Sequence, residues 1–314
     1  MIIMKKHYKI IIPIVGILLV TLFIVILSLS NNNKISFFAI KKHYSIIAED
    51  YPELEIIVYS NINDNEYFNT SKIDKSVLFN DLDFYSTSIT NIELLQGKKL
   101  INGIEYYQYK IHLKFNFIIE KMFTIDKAKL EINYNTGEKI QFNVGNICFE
   151  KPINSNYLSI DKVQSICNDL GNLQSLVAVK ISLSNNLENN IKINSIKAIS
   201  STIKVNNDYV IINEYNTEID HTMHTTQLFG SNYNPYIEST NSFETIELTQ
   251  NTAKDIIIPL TYTEKEFVDH MGFIIEIEYD DKIVYQIVNP YTLFSTSNIN
   301  YALYEYEVVK DTNN

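Results

Sequence analysis

The hydrophobic pattern begins with an unbroken apolar segment. Residues 10–29 carry no charged side chain and consist mostly of isoleucine, leucine, valine and phenylalanine. About 20 such residues span the hydrocarbon core of a bilayer as a helix, so the segment predicts a transmembrane helix. Pro13 falls in its first turn, where a missing N–H is tolerated. Residues 1–9 would then form a cytoplasmic N-terminus, and residues 10–29 would hold the protein in the lipid bilayer.

A cleaved signal peptide is the alternative interpretation of this segment. The apolar region of a signal peptide usually has about 7–15 residues, which is shorter than the segment found here. Ser28-Leu29-Ser30 nevertheless offers a small-x-small cleavage site. Cleavage near Ser30 would release the remaining chain as a secreted protein.

The orientation in the membrane rests on weak charge asymmetry. Lysines flank the segment on both sides: Lys5, Lys6 and Lys9 before it, Lys34, Lys41 and Lys42 after it. The excess of positive charge that marks cytoplasmic flanks is therefore small. The remainder of the chain is β-patterned and poor in cysteine, as exported domains often are. We expect a single-pass cell-membrane protein with the N-terminus inside and the C-terminal domains outside.

Hydrophobic and polar residues alternate along most of the remaining chain. From residue 107 to residue 117 the odd positions are all tyrosine, isoleucine, leucine or phenylalanine, and the even positions are all polar. Successive side chains of a strand point to opposite faces. The pattern therefore predicts a half-buried strand, with Leu113 in the core and Lys114 at the surface.

Two hairpins are predicted from alternation on both sides of a turn. In the first, Leu130, Ile132 and Tyr134 precede Asn135-Thr136-Gly137, and Ile140, Phe142 and Val144 follow it. In the second, Asp280-Asp281 separates two alternating apolar runs. Asparagine, aspartate and glycine supply the backbone conformations that tight turns require.

From residue 159 the spacing of apolar residues changes. A helical stripe would contain Ile160, Val163, Ile166, Cys167 and Leu170. Ser159 could cap the start of a helix and Gly171 could end it. We therefore predict a short helix over residues 159–170. It would lie at the junction of two β-rich, sandwich-like domains, residues 35–150 and residues 157–310.

The alternation returns beyond the predicted helix. Val177, Val179, Ile181 and Leu183 share one face, and several short strand patterns follow at short intervals. Such spacing is typical of a sandwich. In outline, residues 175–309 resemble the immunoglobulin-like modules of bacterial exported proteins, although the Cys–Trp–Cys signature is absent. This resemblance implies an immunoglobulin-like β-sandwich and no activity.

Charge and composition disfavour one class of partner. The formal net charge is −11, and the sequence contains no arginine. An acidic surface repels phosphates, and bidentate contacts to phosphate and guanine rely on arginine. We therefore expect no nucleic-acid partner.

Cys148 and Cys167 are the two cysteines of the chain. Outside the cytoplasm they could form a disulfide, and two buried thiols are the alternative.

The weak candidate site residues come from one stretch without periodicity, residues 217–241. His221, Met223 and His224 carry side chains that bind transition metals, but their spacing matches no established motif. Tyr233 and Tyr236 are candidates for partner binding, because exposed tyrosines contribute to protein contacts. The stretch itself is a candidate contact loop, since long irregular loops in compact domains are often functional.

These patterns favour a binding protein. No glycine-rich phosphate loop and no Gly-x-Ser-x-Gly elbow occurs in the sequence. We expect a non-catalytic, membrane-tethered, extracytoplasmic protein that binds or positions another membrane or envelope protein, without a cofactor. An accessory subunit of a transporter or secretion machine is one concrete form. The alternative is a hydrolase of cell-envelope polymers with acidic catalytic residues that the sequence does not assign.

Overall fold

The computed structural model describes residues 35–63, 67–101, 103–153, 155–169, 174–215, 225–264, 266–292 and 309–310. This part of the chain is mainly β, as predicted, and forms two sheets with a single α-helix. The predicted transmembrane segment, residues 10–29, lies outside the described residues. Within the described ranges, no helix is long and apolar enough to cross a bilayer.

The first half of the chain contributes eight strands. They are β1 (Ser36–Ala39), β2 (Lys42–Ile47), β3 (Glu53–Ser60), β4 (Ile73–Phe79), β5 (Phe84–Ile101), β6 (Ile104–Phe115), β7 (Phe123–Tyr134) and β8 (Lys139–Glu150).

The second half contributes ten further strands and the helix. They are β9 (Ser159–Asp169), β10 (Gln174–Ser184), β11 (Ile191–Ala198), β12 (Ile203–Val205), β13 (Ile211–Glu214), α1 (Thr225–Phe229), β14 (Ile246–Leu248), β15 (Ala253–Tyr262), β16 (Phe267–Tyr279), β17 (Lys282–Thr292) and β18 (Val309–Lys310).

The sheet of the first half curls around its own core. Its strands follow the order β2-β8-β7-β4-β5-β6-β3-β1. β1 and β2 run in the same direction and are separated only by Ile40 and Lys41, so that together they act as one bent strand. β1 pairs with β3 and β2 pairs with β8, and this bent strand therefore joins the two ends of the curled sheet.

The alternation predicted for residues 107–117 is confirmed for the apolar face of β6. Tyr109, Ile111, Leu113 and Phe115 are buried in the first core, and Lys114 is partly exposed. Both predicted hairpins are also confirmed: β7 pairs with β8, and β16 pairs with β17. Their turns use left-handed backbone, at Gly137 in the first and at both Asp280 and Asp281 in the second.

The second half is a sandwich of two sheets. One sheet has the order β12-β15-β10-β9 with β13 also on β15; the other layer is formed by β14, β11, β16 and β17. Apolar side chains from both layers meet in a second core: Ile181 and Ile258 from one side pack with Ile193, Phe273 and Ile275 from the other. The predicted sandwich is therefore present in this half.

The predicted helix over residues 159–170 is wrong, because Ser159–Asp169 forms strand β9. β9 pairs with β10, and the register shifts at Asp161, which has no residue opposite it on β10. This bulge turns both Ile160 and Val163 toward the second core, which imitates the three-residue step of a helix. Ile166 and Cys167 lie in different apolar clusters, because adjacent side chains of a strand point to opposite faces.

The two halves are joined by one continuous sheet. β16 of the second half pairs in parallel with β2, and β18 pairs with β1. The larger sheet therefore has 13 strands and runs through both predicted domains. Each half still has its own main core, one with members between Phe37 and Phe149 and one with members between Leu158 and Val288.

Candidate functional site

The candidate metal ligands His221, Met223 and His224 lie within residues 216–224, outside the described part of the chain. Among the described residues, no group of three or more histidine, cysteine, aspartate or glutamate side chains is arranged to hold a metal ion.

Tyr233 is a structural anchor of the candidate contact loop. Its side chain is buried, and its hydroxyl donates to the carbonyl oxygens of Val177 and Leu260 at 3.1 and 2.8 Å. Burial raises the pKa of this phenol. The expectation that Tyr233 is exposed to a partner is therefore wrong, whereas Tyr236 is exposed.

The two cysteines are free thiols, and the disulfide considered above is not formed. Cys148 lies on β8 of the first half, and Cys167 lies on β9 of the second half. Burial raises the pKa of Cys148 to about 12 and also raises that of Cys167. Neither thiol is activated as a nucleophile, since the thiolate is the reactive form.

A row of acidic and basic side chains crosses the outer face of β3, β6 and β5. His112 lies between two glutamates, with Nδ1 3.3 Å from Glu55 and Nε2 3.4 Å from Glu93. Lys110 also contacts Glu55, at 3.0 Å. Both carboxylates are about half exposed. The row lies on an open strand surface, where water screens its charges.

Buried polar side chains line the seam where β2 meets β16. Lys42 pairs with the carboxylate of Asp269, which also accepts from His270 Nδ1 at 2.8 Å. Burial alone would raise the pKa of Asp269, but the hydrogen bond from His270 and the nearby Lys42 outweigh it and hold the pKa below its usual value. The seam therefore contains a buried, compensated ion pair.

A second polar group of the seam, His43 with Glu266, has shifted pKa values. His43 is fully buried; its Nε2 contacts the Ile199 carbonyl at 3.2 Å, and burial lowers its pKa to about 4. Glu266 accepts from Thr202 and Asn146 at 2.5 and 2.6 Å, and burial raises its pKa to about 7.

The contact between His43 and Glu266 is therefore not an ion pair. His43 Nδ1 lies 4.0 Å from Glu266 Oε1, which is too long for a hydrogen bond. His43 is uncharged above about pH 4, so the glutamate meets a neutral ring. With both side chains buried, this group links the two halves and does not face a substrate.

An open cleft of about 950 Å³ lies beside the segment that connects the two halves. No aspartate, glutamate, histidine, lysine or cysteine is among the described residues that line it. Its polar lining comes from Ser155, Asn156, Tyr157, Ser159, Asn186, Gln286 and Asn289. Such a lining can form hydrogen bonds with a neutral ligand. It offers no carboxylate or imidazole for acid–base catalysis.

One end of the first half presents exposed apolar side chains from three loops. We call this surface the apolar end; its residues are Tyr51, Leu82, Phe84, Ile118 and Met122. The loops precede β3, join β4 to β5 and join β6 to β7, and antiparallel pairing brings all three to the same end of the sheet.

The loops bring members of the apolar end close together. Ile118 forms an isolated bridge with Asp50, next to Tyr51, and Phe84 opens β5 two residues after Leu82. Leu82 and Phe84 are 85% and 76% exposed. Sequence reasoning missed this surface, because its members are isolated apolar residues in loops or, for Phe84, at the first position of a strand. They meet only after the strands are paired.

Comparisons with known proteins do not assign this chain to a family. No family model matches the chain, and no curated protein matches it. Among solved structures, it is similar to the C-terminal domain of the Streptococcus agalactiae AgI/II polypeptide BspA, at 10% identity and a TM-score of 0.20, covering 81% of this chain and 99% of that one.

Two further solved structures give similar values. A titin A168–A169 fragment has 10% identity and a TM-score of 0.18, covering 81% of this chain and 97% of that one. A Porphyromonas gingivalis W83 protein of unknown function has 10% identity and a TM-score of 0.20, with the same coverages. Scores this low carry no argument, so the immunoglobulin-like topology stays a prediction, whereas the sandwich of two sheets is observed.

Proposed function

We propose that this chain is a non-catalytic, membrane-tethered, extracytoplasmic protein that binds a partner protein in the cell envelope through its apolar end. The observation that carries the proposal is the clustering of Tyr51, Leu82, Phe84, Ile118 and Met122 in contact with solvent. Contiguous exposed apolar side chains mark interaction sites in soluble proteins.

Packing supports a preformed contact surface. The ring of Phe84 stacks on Phe79 at 5.7 Å, whereas Tyr85 faces the first core and contacts Phe117 and Phe123 there. The ring of Phe84 is therefore held in place by a neighbouring ring. A partner that covers a large apolar side chain gains about 1.5–3 kcal/mol per residue before the costs of association.

Polar groups surround the apolar end, as at other protein interfaces. Lys151 pairs with Glu49 at 3.4 Å, and Lys114 lies over the ring of Tyr51, 5.6 Å from its centre. A polar rim around an apolar centre is the usual anatomy of a protein–protein contact.

The apolar end is placed away from the predicted anchor. β1 begins at Ser36, beside the last residue of β3, whereas the apolar end lies beside the first residue of β3. The eight residues of β3 span roughly 26 Å at 3.3 Å per residue. A protein tethered through residues 10–29 would thus present the apolar end to a partner beyond the membrane surface, as an accessory subunit of a transporter or secretion machine would.

The alternative function, hydrolysis of envelope polymers, would depend on paired acids. Glu55 and Glu93 flank His112 on an exposed strand face, and a catalytic acid–base pair requires an enclosing site with tuned pKa values. Turnover that is lost in Glu55→Gln or Glu93→Gln would favour this alternative.

Site-specific crosslinking tests the binding function. A photoreactive amino acid at position 84 of the full-length chain should capture a discrete partner in cell membranes. The capture should disappear in Leu82→Asp with Ile118→Asp. The same amino acid at position 285, whose tyrosine is also exposed but lies in the second half, should capture none. Equal capture at both positions would refute the assignment of the surface.

Membrane tethering has a separate test. The full-length chain should remain in the membrane fraction after carbonate extraction. A mature protein that begins at Asn31 and appears in the medium would show that the apolar segment is a cleaved signal. Labelling of a cysteine added at the C-terminus only after cell lysis would reverse the proposed orientation.

A further inference from the structure

The β5–β6 hairpin extends past its neighbours at the end of the first half where β1 begins. The pairing of β3 with β6 ends at Ser60 and Tyr107, but β5 and β6 remain paired as far as Ile101 and Ile104. Three further residues correspond to about 10 Å of strand. The hairpin therefore projects beyond the rest of this end of the sheet.

The core-facing row of β5 continues along this projection. Ile92 of this row pairs with Ile111 and packs against the first core. The same row then passes through Leu94, opposite Tyr109. Beyond a register shift between Leu94 and Lys98, it continues at Leu100, opposite Glu105. Leu94 and Leu100 are 50% and 71% exposed, because the row runs past the end of the core that covers it elsewhere.

Lysines lie among these apolar side chains. Lys98 and Lys99 precede Leu100, and Lys98 forms an exposed ion pair with Glu105 at 2.6 Å. Ile104, at the tip, is also exposed. We call this projecting tip the hairpin surface; it comprises Leu94, Lys98 and Leu100 on the core-facing side of the hairpin and Lys99 and Ile104 on its other side. It combines apolar and basic side chains in a chain whose net charge is −11.

The hairpin surface lies at the end from which the predicted anchor would be reached. The Ser36 amide donates to Asn61 just beyond the last residue of β3, so the chain enters the fold at this end. In the sequence, Leu29 and Ser36 are seven positions apart and cannot be separated by more than roughly 25 Å. A tether of this length keeps this end of the sheet close to the bilayer.

We propose that the hairpin surface contacts the headgroup region of an anionic lipid bilayer. Leu94, Leu100 and Ile104 enter the interface, and Lys98 and Lys99 face the lipid phosphates. Apolar side chains accompanied by lysine are the usual composition of surfaces that bind membranes peripherally. This inference rests on the membrane tether of the proposed function and adds a second contact, which orients the apolar end away from the membrane.

A fluorescent probe on the full-length chain tests the contact. Leu100→Cys is labelled with a polarity-sensitive dye and reconstituted into vesicles of phosphatidylcholine, with and without phosphatidylglycerol. The emission should shift to the blue and be quenched by lipid-borne spin labels. The matched control is Leu82→Cys, at the apolar end, whose emission should stay that of a dye in water.

The lysines provide the charge test. Phosphatidylglycerol should enlarge the blue shift at position 100, and Lys98→Gln with Lys99→Gln should remove that enlargement. Emission at position 100 that matches water in both vesicles would overturn the contact. A blue shift that grows with protein density and resists lipid-borne quenchers would show that a second copy covers the hairpin, which also overturns it.

Flotation separates this inference from the tether. If the chain floats with the vesicles but the dye at position 100 stays in water, the membrane tether is supported and the hairpin contact is refuted. If the chain does not float with the vesicles, both the membrane tether and the hairpin contact are refuted.

Discussion

Lys42 and Asp269 form a buried ion pair although 227 positions separate them in the sequence. Lys42 opens β2 of the first half, and Asp269 lies in β16 of the second half. His270, next to Asp269, donates to the same carboxylate at 2.8 Å. Lys42 thus neutralises the buried charge of Asp269 at the place where β2 and β16 pair in parallel. This pairing joins the strands of the two halves into one sheet.

Lys42→Met should destabilise the seam. It leaves the buried Asp269 carboxylate without its lysine, and removing one partner of a buried pair costs about 3–5 kcal/mol. We expect protease cleavage between residues 151 and 158, in the connecting segment, to increase markedly. Lys180→Met is the matched control, because Lys180 pairs with Asp255 at 2.6 Å with similar burial, within the second half alone. Equal cleavage in the two variants would show that Lys42 has no special role between the halves.

Glu266 should make the free energy of unfolding fall as the pH rises. Its pKa is raised from 4.5 to about 7 in the folded chain, so between these values the folded state binds more protons than the unfolded state. The loss is on the order of 3 kcal/mol across that interval. In Glu266→Gln this loss should be absent. Denaturant unfolding at a series of pH values measures it.

His43 should act in the opposite direction. Its pKa is lowered from 6.5 to about 4, so the unfolded state binds more protons between these values and stability is lost as the pH falls. The two slopes offset each other in the unmodified chain between about pH 4.5 and 6.5. Relative to that chain, Glu266→Gln should therefore gain stability with rising pH, and His43→Gln should gain it with falling pH. Parallel curves for the two variants would contradict these assignments.

The strand pattern of β6 predicts unequal sensitivity at adjacent positions. Leu113 is fully buried, so Leu113→Ala should cost about 2–5 kcal/mol through lost packing and a residual cavity. Lys114→Ala should change stability by no more than about 0.5 kcal/mol, as at most surface sites. Denaturant unfolding of both variants is the measurement. A similar loss at both positions would mean that β6 is buried on both faces.

Gly145 is required where β8 pairs with the first residue of β2. A Cβ atom there would lie 2.1 Å from the carbonyl oxygen of Lys42, a distance that no rotamer change can relieve. Gly145→Ala should part the two strands and cost on the order of 4 kcal/mol or prevent folding. Gly137→Ala is the control: its backbone is also left-handed but the space around it is open, so strain of about 1–2 kcal/mol is expected. Comparable melting temperatures for the two variants would refute this account.

Alternation predicted the faces of strands well and their partners poorly. It succeeded at Leu113 and in both hairpins because one face meets a core and the other meets water. It failed at residues 159–170 because the bulge at Asp161 changes the spacing by one residue. The pairing of β2 with β16 could not be predicted from the local sequence. A two-residue hydrophobic period indicates which face of a strand is buried, but it does not indicate which strand lies beside it.

Candidate surfaces were harder to predict than strands. Tyr233 was selected for its type and its irregular surroundings, and its burial depends on carbonyl oxygens of β10 and β15 that are far away in sequence. Gln108 belongs to the polar face of β6 and is nevertheless buried, beside Tyr59 in a small cluster on the outer side of the sheet. Both outcomes depend on tertiary neighbours that the local pattern does not contain.

The shared sheet has a consequence for the order in which the chain can fold during synthesis. β1 and β2 are among the first strands to emerge, but their partners β18 and β16 begin more than 220 residues later. At about 5–20 residues per second, β2 waits roughly 10 s or more for β16. During this delay its free edge can pair with another nascent chain, so the unfinished chain is most prone to misassembly before β16 has been synthesised.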